Sequence, residues 1–231
     1  SADPAGAVSA ARATLGRDWS SGVIPIAMMG LQAQVVVGSM ASLIQAVYLV
    51  QFGARAAILS GYLALALPAT LLASCLAAGL LVVISMRHAW WLFVLGCATS
   101  LAASVALTFP PRVFESPEQQ ADFLSHYFGV LFIAASIGAK FRDYPNGLAR
   151  VYLLKSTPQR ASERAYTTIC DVLVGNALSG ALMLSLLADP TASVKACVAT
   201  LQVLSTAVSL RGAFVLHGLK GAEHVSPRPV Q

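Results

Sequence analysis

Two long stretches of this chain, 19–54 and 56–86, contain no charged residue at all. Each is longer than the roughly 20 apolar residues that an α-helix needs to cross a bilayer. Charged residues make up only 11% of the whole chain, whereas soluble domains carry about a quarter. The chain is therefore expected to be an all-α integral membrane protein without a soluble domain.

Polar breaks between the apolar stretches predict a bundle of six transmembrane helices. Arg87 and His88 separate the second span from the third, and Pro110 ends the third because proline interrupts helices. Ser116 and Pro117 form a helix-start signal, in which a capping residue is followed by proline at the first helical position. The predicted spans are 30–52, 56–86, 89–109, 117–139, 166–188 and 194–217.

The alternation of polar and apolar stretches divides the chain into three parts. Residues 1–18 are predicted to form a loose N-terminal segment, 19–217 a single membrane domain, and 218–231 a polar C-terminal tail. Within the membrane domain, 140–164 is the only long polar segment. We expect it to be an interfacial basic loop that contains a short surface helix.

The distribution of Lys and Arg predicts the orientation, because the cytoplasmic, matrix or stromal side of a membrane protein holds the excess of basic residues. With six spans, one side receives Arg12, Arg17, Arg87, the six basic residues of 140–164, Lys220 and Arg228. The opposite side receives only Arg55, Arg112 and Lys195. Both termini are therefore predicted to lie on the positive side.

A row of small and amide side chains follows one face of the first predicted span. Its members, spaced by four, four and three residues, are Gln34, Gly38, Ser42 and Gln45. Residues at this spacing share a helix face. The favoured interpretation is a helix-packing stripe, in which small residues allow close approach and amides bond between helices. The alternative is a stripe that lines a substrate path.

Asp171 and Arg211 are the only charged residues predicted to lie deep inside the membrane, since the fourth span begins outside the bilayer and its apolar part starts at Phe123. Each lies about 8 or 9 Å from the positive side at 1.5 Å rise per residue, and their helices are joined by a short turn. We therefore expect an intramembrane ion pair. In the alternative, Arg211 extends to the lipid headgroups and Asp171 bonds to Thr167 or water.

The basic segment 140–164 is a candidate docking surface. Its basic residues are Lys140, Arg142, Arg150, Lys155, Arg160 and Arg164. They alternate with apolar residues such as Tyr152 and Leu153, a pattern suited to anionic lipid headgroups. Docking of a partner subunit, or an ordinary loop on the positive side, would produce the same composition.

Four histidines allow a b-type haem to be considered, since such a haem is held by two facing imidazoles. His88 and His217 fall at helix ends beside basic residues, His126 lies toward the other side, and His224 lies in the tail. Axial histidines normally lie inside helices. No cofactor is therefore predicted, and haem b is the alternative.

Motifs of known catalytic sites are missing from this sequence. It contains no GxxxxGK[ST], HExxH or GxSxG motif and no pair of carboxylates inside a span. The favoured function is a noncatalytic subunit of a larger membrane complex of the respiratory type, and the alternative is a protomer of a small-solute transporter or channel. The expected partners are other membrane subunits and anionic phospholipid, and nucleic acid is not expected.

The membrane itself is inferred from the N-terminal composition. The first residues are rich in Ala and Ser and include Arg12 and Arg17, which is compatible with an organelle import substrate and equally with an ordinary loose terminus. A mitochondrial inner membrane is therefore favoured, and a bacterial inner membrane is the alternative.

Overall fold

The computed structural model describes residues 4–37, 44–83 and 86–218, and all regular structure in those ranges is helical. The helices are α1 (Pro4–Ser20), α2 (Val23–Gln32), α3 (Gln45–Val50), α4 (Ala56–Val83), α5 (Met86–Thr108), α6 (Pro117–Leu153), α7 (Thr157–Cys170), α8 (Ser179–Ala188) and α9 (Ala192–Gly218). Two π-helical segments of five or more residues also lie within the described ranges. The first, Ala33–Val37, continues α2, and the second, Asp171–Leu178, joins α7 to α8.

Five helices in the described ranges are long and apolar enough to cross a membrane. They are Ala56–Val83, Ala89–Thr108, Pro117–Leu153, Thr157–Ala188 and Ala192–His217, and Val23–Val36 is a shorter apolar helix. These five match five of the predicted spans. The sixth predicted span, 30–52, falls on the end of α2, the first π-helical segment and α3, and its residues 38–43 lie outside the described ranges.

Helix α6 continues well past the predicted end of its span, so the prediction of an interfacial loop beginning at Lys140 is wrong. Its 37 residues correspond to about 54 Å at 1.5 Å per residue, which exceeds the bilayer core. Only the short connection at 154–156 separates α6 from α7. Ser156 and Gln159 form a capping box that starts α7.

The structure describes most of the predicted N-terminal segment but almost none of the predicted C-terminal tail. The N-terminal segment expected to be loose is helical from Pro4 onward, as α1, and side chains 12–17 of this helix are exposed. The predicted C-terminal tail lies outside the described residues from 219 onward.

Helix α6 lies between α4 and α5, while α9 packs against α5 and α2, and α2 also packs against α7. One apolar cluster around Tyr48 and Phe128 joins α3, α5 and α6, with ring centroids 5.1 Å apart. A second apolar cluster around Ile26 and Phe93 joins α2, α5 and α9. The bundle core is therefore divided into two apolar regions.

Close backbone contact fixes α5 against α6. A Cβ atom added to Gly96 would lie 2.5 Å from Arg142 N and 2.5 Å from Gly138 O. Ser100 Oγ donates a hydrogen bond to Ala135 O at 3.2 Å one turn further along. Glycine is required at 96 because any side chain would force the two helices apart.

Contacts between distant parts of the chain identify the two ends of the bundle. At one end, Arg55 pairs with Asp122 at 2.5 Å, and Gln51 Nε2 donates to Leu187 O at 2.6 Å. At the other end, Tyr166 Oη donates to Asp18 Oδ2 at 3.2 Å. These contacts connect the start of α4 with the start of α6, and the end of α1 with α7.

Candidate functional site

Arg142 on α6 is the largest fully buried side chain in the described part of the molecule, with a relative exposure of 1%. Its Nε and Nη2 atoms donate to Asp143 Oδ1 at 3.0 and 2.8 Å, and Nη1 donates to Gln32 Oε1 at 3.3 Å. A buried guanidinium is costly unless it is paired and hydrogen-bonded. Asp143 supplies the opposite charge and Gln32 supplies a further acceptor.

Gln32 at the end of α2 connects Arg142 to two more helices. Its Nε2 atom donates to Cys97 O of α5 at 2.8 Å and to Thr206 Oγ1 of α9 at 2.9 Å. Its backbone N–H donates to Ser209 Oγ at 2.9 Å. A glutamine amide has two N–H donors and one carbonyl acceptor, so both ends of this side chain are satisfied. We call Gln32, Arg142, Asp143, Thr206 and Ser209 the Gln32–Arg142 cluster.

The charge pair in this cluster is asymmetric. The side chain of Arg142 is buried, whereas that of Asp143 is 47% exposed. The carboxylate therefore keeps much of its hydration while it neutralises the buried guanidinium. The hydrogen bonds of the cluster connect α2, α5, α6 and α9. The donors of Arg142 are directed to other residues of this protein.

A second ionic contact lies between α6 and α7. Arg150 Nη2 is 2.9 Å from Glu163 Oε1, and Thr167 Oγ1 donates to the same oxygen at 3.0 Å. Glu163 is buried and Arg150 is partly exposed. This pair fastens the last turns of α6 to α7. Within the described residues, no group of His, Cys, Asp and Glu side chains has the arrangement of a metal site.

The six predicted docking residues lie in different environments. Arg142 is buried and cannot contact a lipid headgroup or a partner, so its assignment to a docking surface is wrong. Arg150 is engaged by Glu163, and Arg160 Nε donates to Leu154 O at 2.9 Å. Lys155 and Arg164 are exposed, and Lys140 is half-buried.

The predicted ion pair between Asp171 and Arg211, both within the described ranges, is not formed. Asp171 Oδ1 is buried without a hydrogen-bond partner in the described part of the chain. Arg211 is exposed, whereas Ser209, Gly212 and Ala213 are buried. Arg211 therefore lies on the outer face of α9. Sequence position predicts height along a helix, whereas pairing also depends on the direction around its axis.

Part of the predicted packing stripe is visible. A Cβ atom added to Gly175 would lie 3.1 Å from Gln34 Cβ, so the two π-helical segments touch at this point. Gln45 begins α3 and is half-buried. Gly38 and Ser42 lie outside the described residues. Packing along the whole stripe therefore stays a prediction.

Two of the histidines considered for haem are far apart. His126 Nδ1 lies 3.0 Å from Tyr62 Oη, and the next residue, Tyr127, bonds to Ala106 O near the end of α5. His217 stacks on Trp90 near the start of α5, with centroids 5.2 Å apart. Sixteen residues of α5 separate these positions by about 24 Å. His126 and His217 therefore do not face each other.

Most of the Gln32–Arg142 cluster is not predicted from the sequence. Gln32, Thr206 and Ser209 are absent from the predicted sites, and Arg142 is predicted to lie at the surface. The available signal is the spacing of Gln202, Thr206 and Ser209, which places three polar residues on one face of a largely apolar helix. No protein-family model matches the chain, and no curated protein or solved structure matches it.

Proposed function

We propose that this chain is a noncatalytic integral membrane subunit of a larger, energy-transducing membrane complex. The observation that carries the proposal is the Gln32–Arg142 cluster, whose buried charge is neutralised by a neighbour on the same helix. A catalytic or transporting group needs free hydrogen-bonding capacity for its substrate. Arg142 instead directs three of its five N–H donors to Asp143 and Gln32, which supports a structural role.

The outer surface of the bundle supports the same proposal. Large apolar side chains of α4 are exposed, namely Leu65, Leu67, Leu71, Leu72, Leu76 and Leu80. Exposed apolar surface of this extent is stable only against lipid or other membrane subunits. Because α4 packs mainly on α6, most of its circumference is free for such neighbours.

Six crossings with both termini on the positive side are part of this proposal. The contacts between Arg55 and Asp122 and between Gln51 and Leu187 join residues assigned to the less basic side. The contact between Asp18 and Tyr166 joins residues assigned to the positive side. The predicted span 30–52 would then provide the first crossing.

Cysteine labelling in sealed vesicles tests the number of crossings. In a background without the native cysteines, Ala13→Cys and Ala161→Cys should react from the same side, and Ser116→Cys from the opposite side. With five crossings, Ala13→Cys would share its side with Ser116→Cys, because the predicted span 30–52 would not cross. That result would contradict the six-span topology, and the pair Ala161→Cys and Ser116→Cys serves as the internal control.

Anionic phospholipid at the junction of α6 and α7 is the proposed lipid partner. Lys155 and Arg164 are exposed and make no ion pair with any residue that the structure describes, and Arg160 is held beside them by Leu154 O. Surface basic residues contribute about 1 kcal/mol each to binding of an anionic membrane.

Native mass analysis after mild detergent extraction tests the subunit proposal. We expect the 24.0 kDa chain to migrate within an assembly many times its own mass, together with other membrane proteins. A free monomer or a small homo-oligomer would refute the proposal and favour the transporter alternative. In the same experiment, Lys155→Glu combined with Arg164→Glu should reduce co-purified anionic lipid, whereas Arg112→Glu should not.

A further inference from the structure

Two buried polar side chains near the middle of the bundle have no partner among the described residues. Gln202 of α9 has a relative exposure of 0%, and neither its Nε2 nor its Oε1 atom makes a hydrogen bond. Ser104 of α5 is equally buried, and its Oγ also has no partner. Buried polar groups are almost always hydrogen-bonded, so each of these two requires an explanation.

Helix geometry places Gln202 and Ser104 opposite each other. Cys97 O and Thr206 Oγ1 accept hydrogen bonds from one nitrogen, Gln32 Nε2, so the faces of α5 and α9 that carry them meet there. Ser104 lies seven residues after Cys97 and Gln202 four residues before Thr206, which keeps both on those faces.

The heights of the two side chains are also close. Helices α5 and α9 are antiparallel, because Trp90 near the start of α5 stacks on His217 near the end of α9. From the level of Gln32, Ser104 is about 10 Å and Gln202 about 6 Å toward the other end of the bundle. The two side chains are therefore about 4 Å apart along the bundle axis. They make no direct hydrogen bond to each other, and this distance suits two groups that share a small bridging molecule.

The chemistry of this site restricts what it can bind. Gln202 offers N–H donors and a carbonyl acceptor, and Ser104 offers a hydroxyl that can donate or accept. The nearest buried charge of the polar cluster, Arg142, already donates to Asp143 and Gln32. The ligand must therefore be small, uncharged and able both to donate and to accept hydrogen bonds.

We propose that Gln202 and Ser104 together bind water in the middle of the bundle. The first π-helical segment, which contacts both α5 and α9 just after Gln32, lies beside this site, and π-helical turns often accompany functional sites. The water site lies beside a polar chain that begins at the exposed carboxylate of Asp143. From there, hydrogen bonds pass through Arg142, Gln32 and Thr206 to the backbone carbonyl of Gln202, whose side chain binds the water.

A double-mutant cycle with Gln202→Leu and Ser104→Ala tests the water site in the full chain. Each single variant should lower Tm by about 3 °C or more, because it leaves the bound water with too few partners. The double variant should lose clearly less than the sum of the two, since both partners of the same water are then absent. Thr200→Val, on the exposed face of α9, is the matched control and should leave Tm unchanged.

Three outcomes would overturn the proposal. A higher Tm for Gln202→Leu would mean that the amide is buried without any ligand, and additive losses would mean that the two groups have separate partners. A direct hydrogen bond between Ser104 and Gln202, in a high-resolution density map of the unmutated protein in lipid nanodiscs, would also exclude bridging water. This map provides the test if a variant fails to fold, and density between the two side chains is the expected result.

Discussion

Replacing Asp143 with Asn should lower the free energy of unfolding by about 3 kcal/mol, because it leaves the buried guanidinium of Arg142 without its countercharge. Both hydrogen bonds from Arg142 to Asp143 end on the same carboxylate oxygen. The expected loss lies at the lower end of the range for breaking buried pairs, since Asp143 is itself half-exposed. Equilibrium unfolding in mixed detergent micelles measures it.

A second substitution distinguishes a buried charge from general damage to the helix. Adding Arg142→Met to Asp143→Asn removes the uncompensated charge and should restore much of the lost stability. Asp122→Asn at the other end of the bundle is the matched control, because Asp122 and Arg55 are both about half-exposed. It should cost less than about 1 kcal/mol. Equal losses for Asp122→Asn and Asp143→Asn would contradict the structural role of Arg142.

Gly96→Ala should destabilise the protein by about 3 kcal/mol or prevent folding, although it adds a single methyl group. The new Cβ atom would lie 2.5 Å from backbone atoms of Arg142 and Gly138. Backbone cannot move aside as a flexible side chain can, so α5 and α6 must separate. Overpacking of this kind usually costs about 1–3 kcal/mol, and the loss of the Arg142 geometry adds to it.

A glycine-to-alanine substitution on α4 should have the opposite effect on stability. Gly79 lies inside α4, and a Cβ atom added there would meet nothing within 4 Å. Gly79→Ala should therefore raise stability by about 0.5–1 kcal/mol, because alanine loses less backbone entropy than glycine in a helix. Thermal unfolding of both variants in one detergent compares them. If Gly96→Ala behaved like Gly79→Ala, the close contact between α5 and α6 would not exist in solution.

The charged residues in the last turns of α6 explain why the sequence predicts too short a helix. Lys140 and Arg142 end the apolar part of α6, and the prediction therefore ended the span at 139. The helix continues to Leu153 because the charges that follow are engaged by neighbouring helices: Arg142 by Gln32 of α2, and Arg150 by Glu163 of α7. Such partners are distant in sequence, so composition alone cannot indicate them.

The sequence by itself determined the helical class and five of the long apolar helices, because helix formation in an apolar medium depends on local composition and length. It also determined the height of each residue along its helix, since the rise per residue is constant. Only the tertiary structure decided which side chains meet, because that depends on the direction each helix face takes. Arg211 therefore lies on the outer face of α9 and does not pair with Asp171, while Gln32, Arg142 and Thr206 meet inside the bundle.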